Sequence, residues 1–300
     1  MKAPPSPPLK PGELLQHIRE DNRSGAAQLA QKGAQFLLAC LKSERAEEIW
    51  ASGKALIDAQ PSMAPMVNLV NHLFAAIESL EDQQAIKEKG ITAVQGFLNN
   101  LIAGSERIKG NALSLLEGKT KVMTHSYSST VLDVLEHTQD IEVICPEARP
   151  LCEGLRMAQE LGKRGIRTRI VVDSAAPSLM GECDCVMLGA DAVTPQGIVN
   201  KIGTYALALA AREQKIPFYV LAGTEKLLPP LFSQTLRIEE KDPKEVIQEA
   251  IPHSRVENRY FDCTPLELIT GVVTQEGVIL GKEVQKVLEG MKISKELKTR

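Results

Sequence analysis

An α/β protein, helical in its N-terminal half and built on a mostly parallel sheet thereafter, is what this sequence predicts. Three observations carry that expectation. Up to about Glu117 apolar residues recur at spacings of three and four. Near Gly118 the composition shifts, and short apolar runs begin to alternate with helical stretches. Those runs are nearly continuous, as expected of strands covered on both faces. The 300 residues suffice for two domains with separate cores, placed at 11–117 and 118–300 behind a proline-rich arm at 1–10.

Taken in order, the arm MKAPPSPPLK reads as extended and poorly ordered. Leu29, Gly33, Phe36, Leu37, Cys40 and Leu41 then mark one helix face. Met66, Leu69, Val70, Leu73, Phe74 and Ile77 mark another after the PSMAP turn. Residues 85–116 read as one long helix or two, because glycines at 90, 96, 104 and 110 weaken the pattern. The expected strands are KVMTH, IEVICP, RTRIVVD, DCVMLGAD, IPFYVLAG, TLRIEE and NRYFDC. Helical stretches at Val131–His137, Leu151–Arg164 and Lys201–Gln214 separate several of them.

Charge and composition exclude several functions. With 35 Lys+Arg against 38 Asp+Glu, the net charge is −3, so no basic field holds a nucleic-acid backbone. Six Phe, four Tyr and one Trp leave few platforms for stacking bases, and no direct nucleic-acid partner is expected. The N-terminus lacks an apolar leader, and no uncharged apolar run approaches the ~20 residues of a membrane span. The expectation is a cytoplasmic chain whose six cysteines stay reduced, most of them as small buried hydrophobes. Cys183 and Cys185 form a C-x-C without a second pair or nearby His, so no metal is expected.

Ligands of parallel sheets sit at the carboxyl ends of the strands. That rule selects His125 and Ser126, Glu147 and Arg149, Asp173 and Ser174, Asp191, and Gly223 to Lys226. The densest stretch is GADAVTPQGIVNKIGTYALALAA, residues 189–211. We read it as a strand ending on Asp191, a glycine-containing loop, and a helix opening at Asn200–Lys201–Ile202–Gly203–Thr204. A helix start beside a Lys and small residues suits a phosphate; a tight helix entry with Lys201 solvated is equally open. Neither the dinucleotide fingerprint nor a Walker A loop is present, and no cofactor is expected. Arg149, before a helix start at Pro150, can grip phosphate or pair with Glu147 or Asp191. Asp191 can act as general acid–base or cap a turn. Arg23–Ser24–Gly25–Ala26 opens a helix and can cap it or supply a second phosphate site. His125 and Ser126, as strand neighbours, point to opposite faces, so a hydrolase triad is disfavoured against a hydroxyl-rich loop that binds ligand or caps a helix.

The segments NRSGAAQLA, PSMAP, THSYSSTVLDVLE, PEARPLCEG, VVDSAAPSLM, GADAVTPQGIVNKIGTYALALAA, IPFYVLAGTEK and FDCTPLELITGVVTQEGVI carry a resemblance. Together they resemble the family joining the alpha, beta and delta subunits of translation initiation factor 2B to ribose-1,5-bisphosphate isomerase and methylthioribose-1-phosphate isomerase. The resemblance implies a helical domain followed by a Rossmann-like domain, paired through the latter as a homodimer or related heterodimer. It implies phosphate contacts at Arg23, Gly25, Arg149, Asn200 and Lys201. It also implies that isomerase catalysis uses a cysteine and an aspartate. The aspartate falls on Asp191; the cysteine position, directly after the His of T-H-C, is Ser126.

That departure orders the functional expectations. A thiol is readily brought to a reactive thiolate, whereas an alcohol is a far weaker acid. Cys145 and Cys152 are the nearest substitutes in sequence, and neither holds the expected position. The first expectation is therefore an initiation factor 2B subunit-like protein that binds a sugar phosphate or nucleotide without isomerase turnover. The alternative is an aldose-ketose isomerase acting on ribose 1,5-bisphosphate or methylthioribose 1-phosphate, with Asp191 as the surviving acid–base group. A purely structural subunit with an empty pocket is a third.

Overall fold

A computed structural model describes residues 10–21, 24–43, 45–61, 63–233, 238, 240–249 and 251–298. Residues 1–9 of the expected arm lie outside them; Lys10, exposed, opens the first helix with its amide donated to Glu13. The chain forms two compact units, residues 1–101 with 292–300, and residues 102–291.

The first unit is helical: α1 (Pro11–Glu20), α2 (Ala26–Ser43), α3 (Ala46–Ala59), α4 (Ala64–Ile77) and the first part of α5 (Gln83–Leu116). All six marked residues of α2 and all six of α4 are buried, so the three-and-four spacing identified the faces that pack. Residues 85–116 belong to one continuous helix, and the unit boundary falls inside it rather than at Gly118. The short C-terminal helix, assigned α11 in chain order (Lys295–Lys298), groups here because its entry docks on α4. Asn71 Nδ2 donates to the Lys292 carbonyl, while Glu78 accepts from the Ser294 hydroxyl and the Lys295 amide.

The second unit is a seven-stranded sheet in the order β10-β9-β7-β4-β1-β2-β3. Its strands are β1 (Lys121–Met123), β2 (Glu142–Pro146), β3 (Arg167–Val171), β4 (Cys185–Gly189), β7 (Phe218–Leu221), β9 (Gly271–Thr274) and β10 (Gly277–Leu280). All pairings are parallel except β9 with β10. Successive residues alternate between two cores, which explains the continuous apolar runs. Val122, Val143, Cys185 and Met187 pack with α6 (Ser129–Leu135) and α7 (Glu153–Lys163). Met123, Ile144, Val186 and Leu188 pack with α8 (Thr204–Gln214) and α10 (Gly281–Glu289). α9 is a single turn at Pro230–Ser233.

A second, three-stranded antiparallel sheet joins β5 (Ala192–Thr194), β6 (Gly197–Lys201) and β8 (Phe261–Thr264). This corrects the loop expected after Asp191. Strand β4 ends at Gly189, residues 192–201 form a hairpin, and Asn200 and Lys201 lie on β6 rather than at a helix start. Val193 and Ile198 join the core, so this hairpin is held by burial as well as by pairing. Of the expected strand TLRIEE, part lies outside the described residues, and Glu240 makes one bridge to Arg259.

Candidate functional site

The sheet's strand order reverses between β1 and β4. Strands β2 and β3 extend on one side of β1, while β4 and β7 lie on the other. A crevice beyond the carboxyl ends of β1 and β4 is where such a sheet takes a ligand. Residues 124–128 and 190–191 meet there. Gly189 permits the approach: a Cβ on it would lie 2.7 Å from the Ser128 hydroxyl.

His125 is 3% exposed, and its Nε2 lies 2.8 Å from the Ile202 carbonyl. A carbonyl only accepts, so Nε2 carries the proton. Burial pulls the imidazole pKa below its ordinary range, leaving the ring neutral with Nδ1 bare and unpartnered among the described residues. Ser126 has a left-handed backbone (φ +61°) and turns the chain from β1 toward α6. Both residues therefore stand on a turn beyond β1, and the opposite-face argument for strand neighbours does not apply. Ser128 caps α6 by accepting the Val131 amide at 3.4 Å, which is the capping use expected of this hydroxyl-rich loop.

Asp191, half-buried, follows β4, with its amide donated to the Val199 carbonyl at 2.9 Å. Burial pushes its carboxyl up to about 6; Lys226 and Lys201 oppose that rise and Glu153 adds to it. Lys201 is 4% exposed, with Nζ 2.7 Å from Glu153 Oε1 and 4.7 Å from the centre of the Tyr260 ring. Lys226 is 7% exposed, and its ammonium has no hydrogen bond or ion pair among the described residues. Lys201 and Lys226 thus face Asp191 and Glu153. The four groups are neutral in sum when Asp191 is ionised, and carry one positive charge when it is protonated.

The remaining expected residues divide. Asn200 is buried and spends its amide on Thr204 Oγ1 (2.9 Å), which itself donates to the Lys201 carbonyl (2.6 Å). The start of α8 is not an open phosphate cradle, because Asp262 Oδ2 already accepts the amides of Gly203 (2.8 Å) and Tyr205 (3.2 Å). Arg149 is exposed and pairs with neither Glu147 nor Asp191; its guanidinium donates to the Val246 carbonyl at 2.9 Å. Asp173 fixes that loop by accepting the Ala148 and Arg149 amides, both at 2.8 Å. Helix α7 begins at Glu153 rather than at Pro150, since residues 149–152 form turns. Gly25 precedes α2 in the helical unit, its carbonyl accepting the Leu29 amide. Arg23 lies outside the described residues.

Sequence reasoning missed Glu153, Tyr260 and Asp262. Asp262 carried a signal, an acidic residue inside an expected strand. Glu153 was hidden by the early helix start, which placed it inside α7 rather than at its mouth. The two thiols in the core beside β1 offer no replacement for the cysteine absent at Ser126. Cys145 packs in the core with its pKa pushed up to about 12, and burial takes Cys185 to the same value. Cys152, half-buried, has its sulfur 3.8 Å from the Pro150 carbonyl.

Fold and site together define a class: a helical unit followed by a Rossmann-like unit with two lysines and two carboxylates near its strand ends. The chain belongs to the initiation factor 2 subunit family, whose profile matches residues 21–281. It is 33% identical over 282 residues to a ribose 1,5-bisphosphate isomerase of Archaeoglobus fulgidus, covering 89% of this chain and 88% of that protein. It is 31% identical over 277 residues to a translation initiation factor eIF-2B subunit 2-like protein of Pyrococcus horikoshii, covering 89% and 95%. The crystal structure of a Pyrococcus horikoshii translation initiation factor eIF-2B superposes with a TM-score of 0.78 at 28% identity, covering 90% of this chain and 96% of that one.

Proposed function

We propose that the protein binds a phosphorylated sugar or nucleotide in the crevice at Asp191, Lys201 and Lys226 and does not isomerise it. The observation that carries this reading is Ser126, standing where the resemblance puts the reactive cysteine, with Cys145 buried in the core. At a pKa of about 12, Cys145 holds on the order of one thiolate in 10⁵ at pH 7. The ammonium of Lys226, buried and without a hydrogen bond among the described residues, supports anion binding. A homodimer, or a heteromer with a related chain, through the domain after Gly118 belongs to the same reading. Thermal melting with ribose 1,5-bisphosphate and with nucleoside monophosphates tests it. A ligand at 100 times its Kd stabilises the fold by about 2.7 kcal/mol. An upward shift that Lys226→Met largely removes is expected; no shift with any of these compounds contradicts the reading.

The second reading is an aldose-ketose isomerase. Asp191 favours it, since a carboxyl near 6 is poised to give and take a proton at neutral pH. The similarity to an isomerase over 88% of that protein's length supports it further. Ketose formation from ribose 1,5-bisphosphate that is lost in Asp191→Asn establishes this reading.

A further inference from the structure

We infer that strand β3 is a surface through which two copies of this chain join, edge to edge about a two-fold axis at Ile170, so that their two sheets become one. This inference rests on the homodimer part of the reading above and deepens it by naming the surface. Strand β3 closes one end of the seven-stranded sheet and pairs, among the described residues, with β2 alone. The Val171 carbonyl accepts the Glu147 amide at 2.9 Å. Bonding residues alternate along a parallel ladder, so Arg167, Arg169 and Val171 turn their backbone groups to β2. Thr168, Ile170 and Val172 turn theirs outward. Of these groups the Val172 carbonyl accepts the Ala175 amide at 3.0 Å, and the rest have no partner among the described residues. Ile170 and Val172 are each 54% exposed, so the edge is open on its side chains as well as its backbone.

An open edge of this kind is a template for another strand. What sits on it must match its side chains, and β3 matches its own reverse in one register. With Ile170 on the axis, Ile170 faces its own copy and Thr168 faces the second copy's Val172, and these pairs exchange their outward N–H and C=O groups. On the other face of the sheet Arg169 falls opposite the second copy's Val171, and Arg167 opposite the second copy's Asp173, a pair of opposite charge. Arg169 keeps its own Glu182 at 2.9 Å. Moving the axis to Arg169 sets the two Arg169 guanidiniums against each other, and moving it to Thr168 sets Arg167 against Arg169; like charges directly opposite destabilise a strand pair. The Ile170 register avoids both clashes and stacks the exposed apolar side chains. The same patch serves both copies, so the pair closes on itself.

Light scattering and cross-linking on the full chain test the surface and its register. Ile170→Lys brings two ammoniums together on the axis, and a lysine on an exposed edge strand is one that folds tolerate; circular dichroism and the thermal transition report folding. The mass of the wild-type assembly is expected to halve in Ile170→Lys. Ile170→Cys reads the register. Antiparallel residues that exchange both hydrogen bonds stand about 5.5 Å apart, inside the span of roughly 4.4–6.8 Å that a disulfide bridges. A mild oxidant is expected to link two chains through position 170, shown by the linked peptide in mass spectrometry and reversed by added thiol. An unchanged mass in Ile170→Lys, or no linked peptide from Ile170→Cys, overturns the inference and leaves a homodimer through another surface of the same domain. A monomeric wild type overturns both the inference and the homodimer, while ligand-dependent melting reads the binding proposal separately. An Ile170→Lys chain that fails to fold moves the test to Val172→Lys, equally exposed, for which the same halving is expected and an unchanged mass overturns the inference.

Discussion

Asp191 shows how one residue can set a measurable property. Its carboxyl is raised from the usual ~3.9 to about 6, so the folded state holds the proton more tightly than the unfolded chain does. Above pH 6 the ionised folded carboxylate costs stability. The cost fades as pH falls through 6, and near pH 4 the difference between the two states is spent. Asp262, also pushed up to about 6 by burial, acts in the same direction. Asp191→Asn is therefore expected to melt higher than wild type at pH 7.5, with the gap closing toward pH 4. Scanning calorimetry across that range checks it, and a gap that widens on acidification contradicts the assignment. The cysteines give a second residue-scale prediction. Cys40, Cys145, Cys183 and Cys185 are buried, and brief alkylation followed by mass spectrometry should leave them unlabelled until the chain is unfolded.

Two contacts at helix starts position the site at the scale of elements. Asp262 reaches from β8 to cap α8, and Asp262→Ala should cost about 1–2 kcal/mol in urea unfolding with an unchanged slope. Gly154 lies where a Cβ would stand 1.7 Å from the Pro146 carbonyl, so α7 can start this close to β2 only with glycine there. Gly154→Ala should cost about 1–3 kcal/mol or more, as overpacking does, and should shift Glu153 away from Lys201. Elements were legible where one physical signal dominated. The buried stripes of α2 and α4 stand in the sequence, and so do the strands covered on both faces. The hairpin β5–β6 was not, because its pairing partner β8 lies some sixty residues downstream and no local pattern announces it. That single omission turned Asn200 and Lys201 into helix-start residues and made an anion cradle out of a capped helix. The strand-end rule, by contrast, selected Asp191 and Lys226 without any knowledge of the strand order.

For the whole molecule, topology explains why these residues and not others share a site. Strand order alone fixes β1 and β4 as the crevice, and the two lysines reach it from β6 and from the turn after β7. Among the described residues no helix is long and apolar enough to cross a membrane. Assembly through the sheet-containing domain predicts a dimer mass by light scattering at micromolar concentration, and a strictly monomeric chain contradicts that part of the proposal. Binding without conversion is the property that distinguishes the two proposed functions. Its most direct test incubates the protein at high concentration with ribose 1,5-bisphosphate while phosphorus and proton NMR follow the free and bound sugar. The predicted result is a broadened, protein-bound ligand that remains the aldose; accumulation of the ketose bisphosphate, abolished by Asp191→Asn, contradicts it.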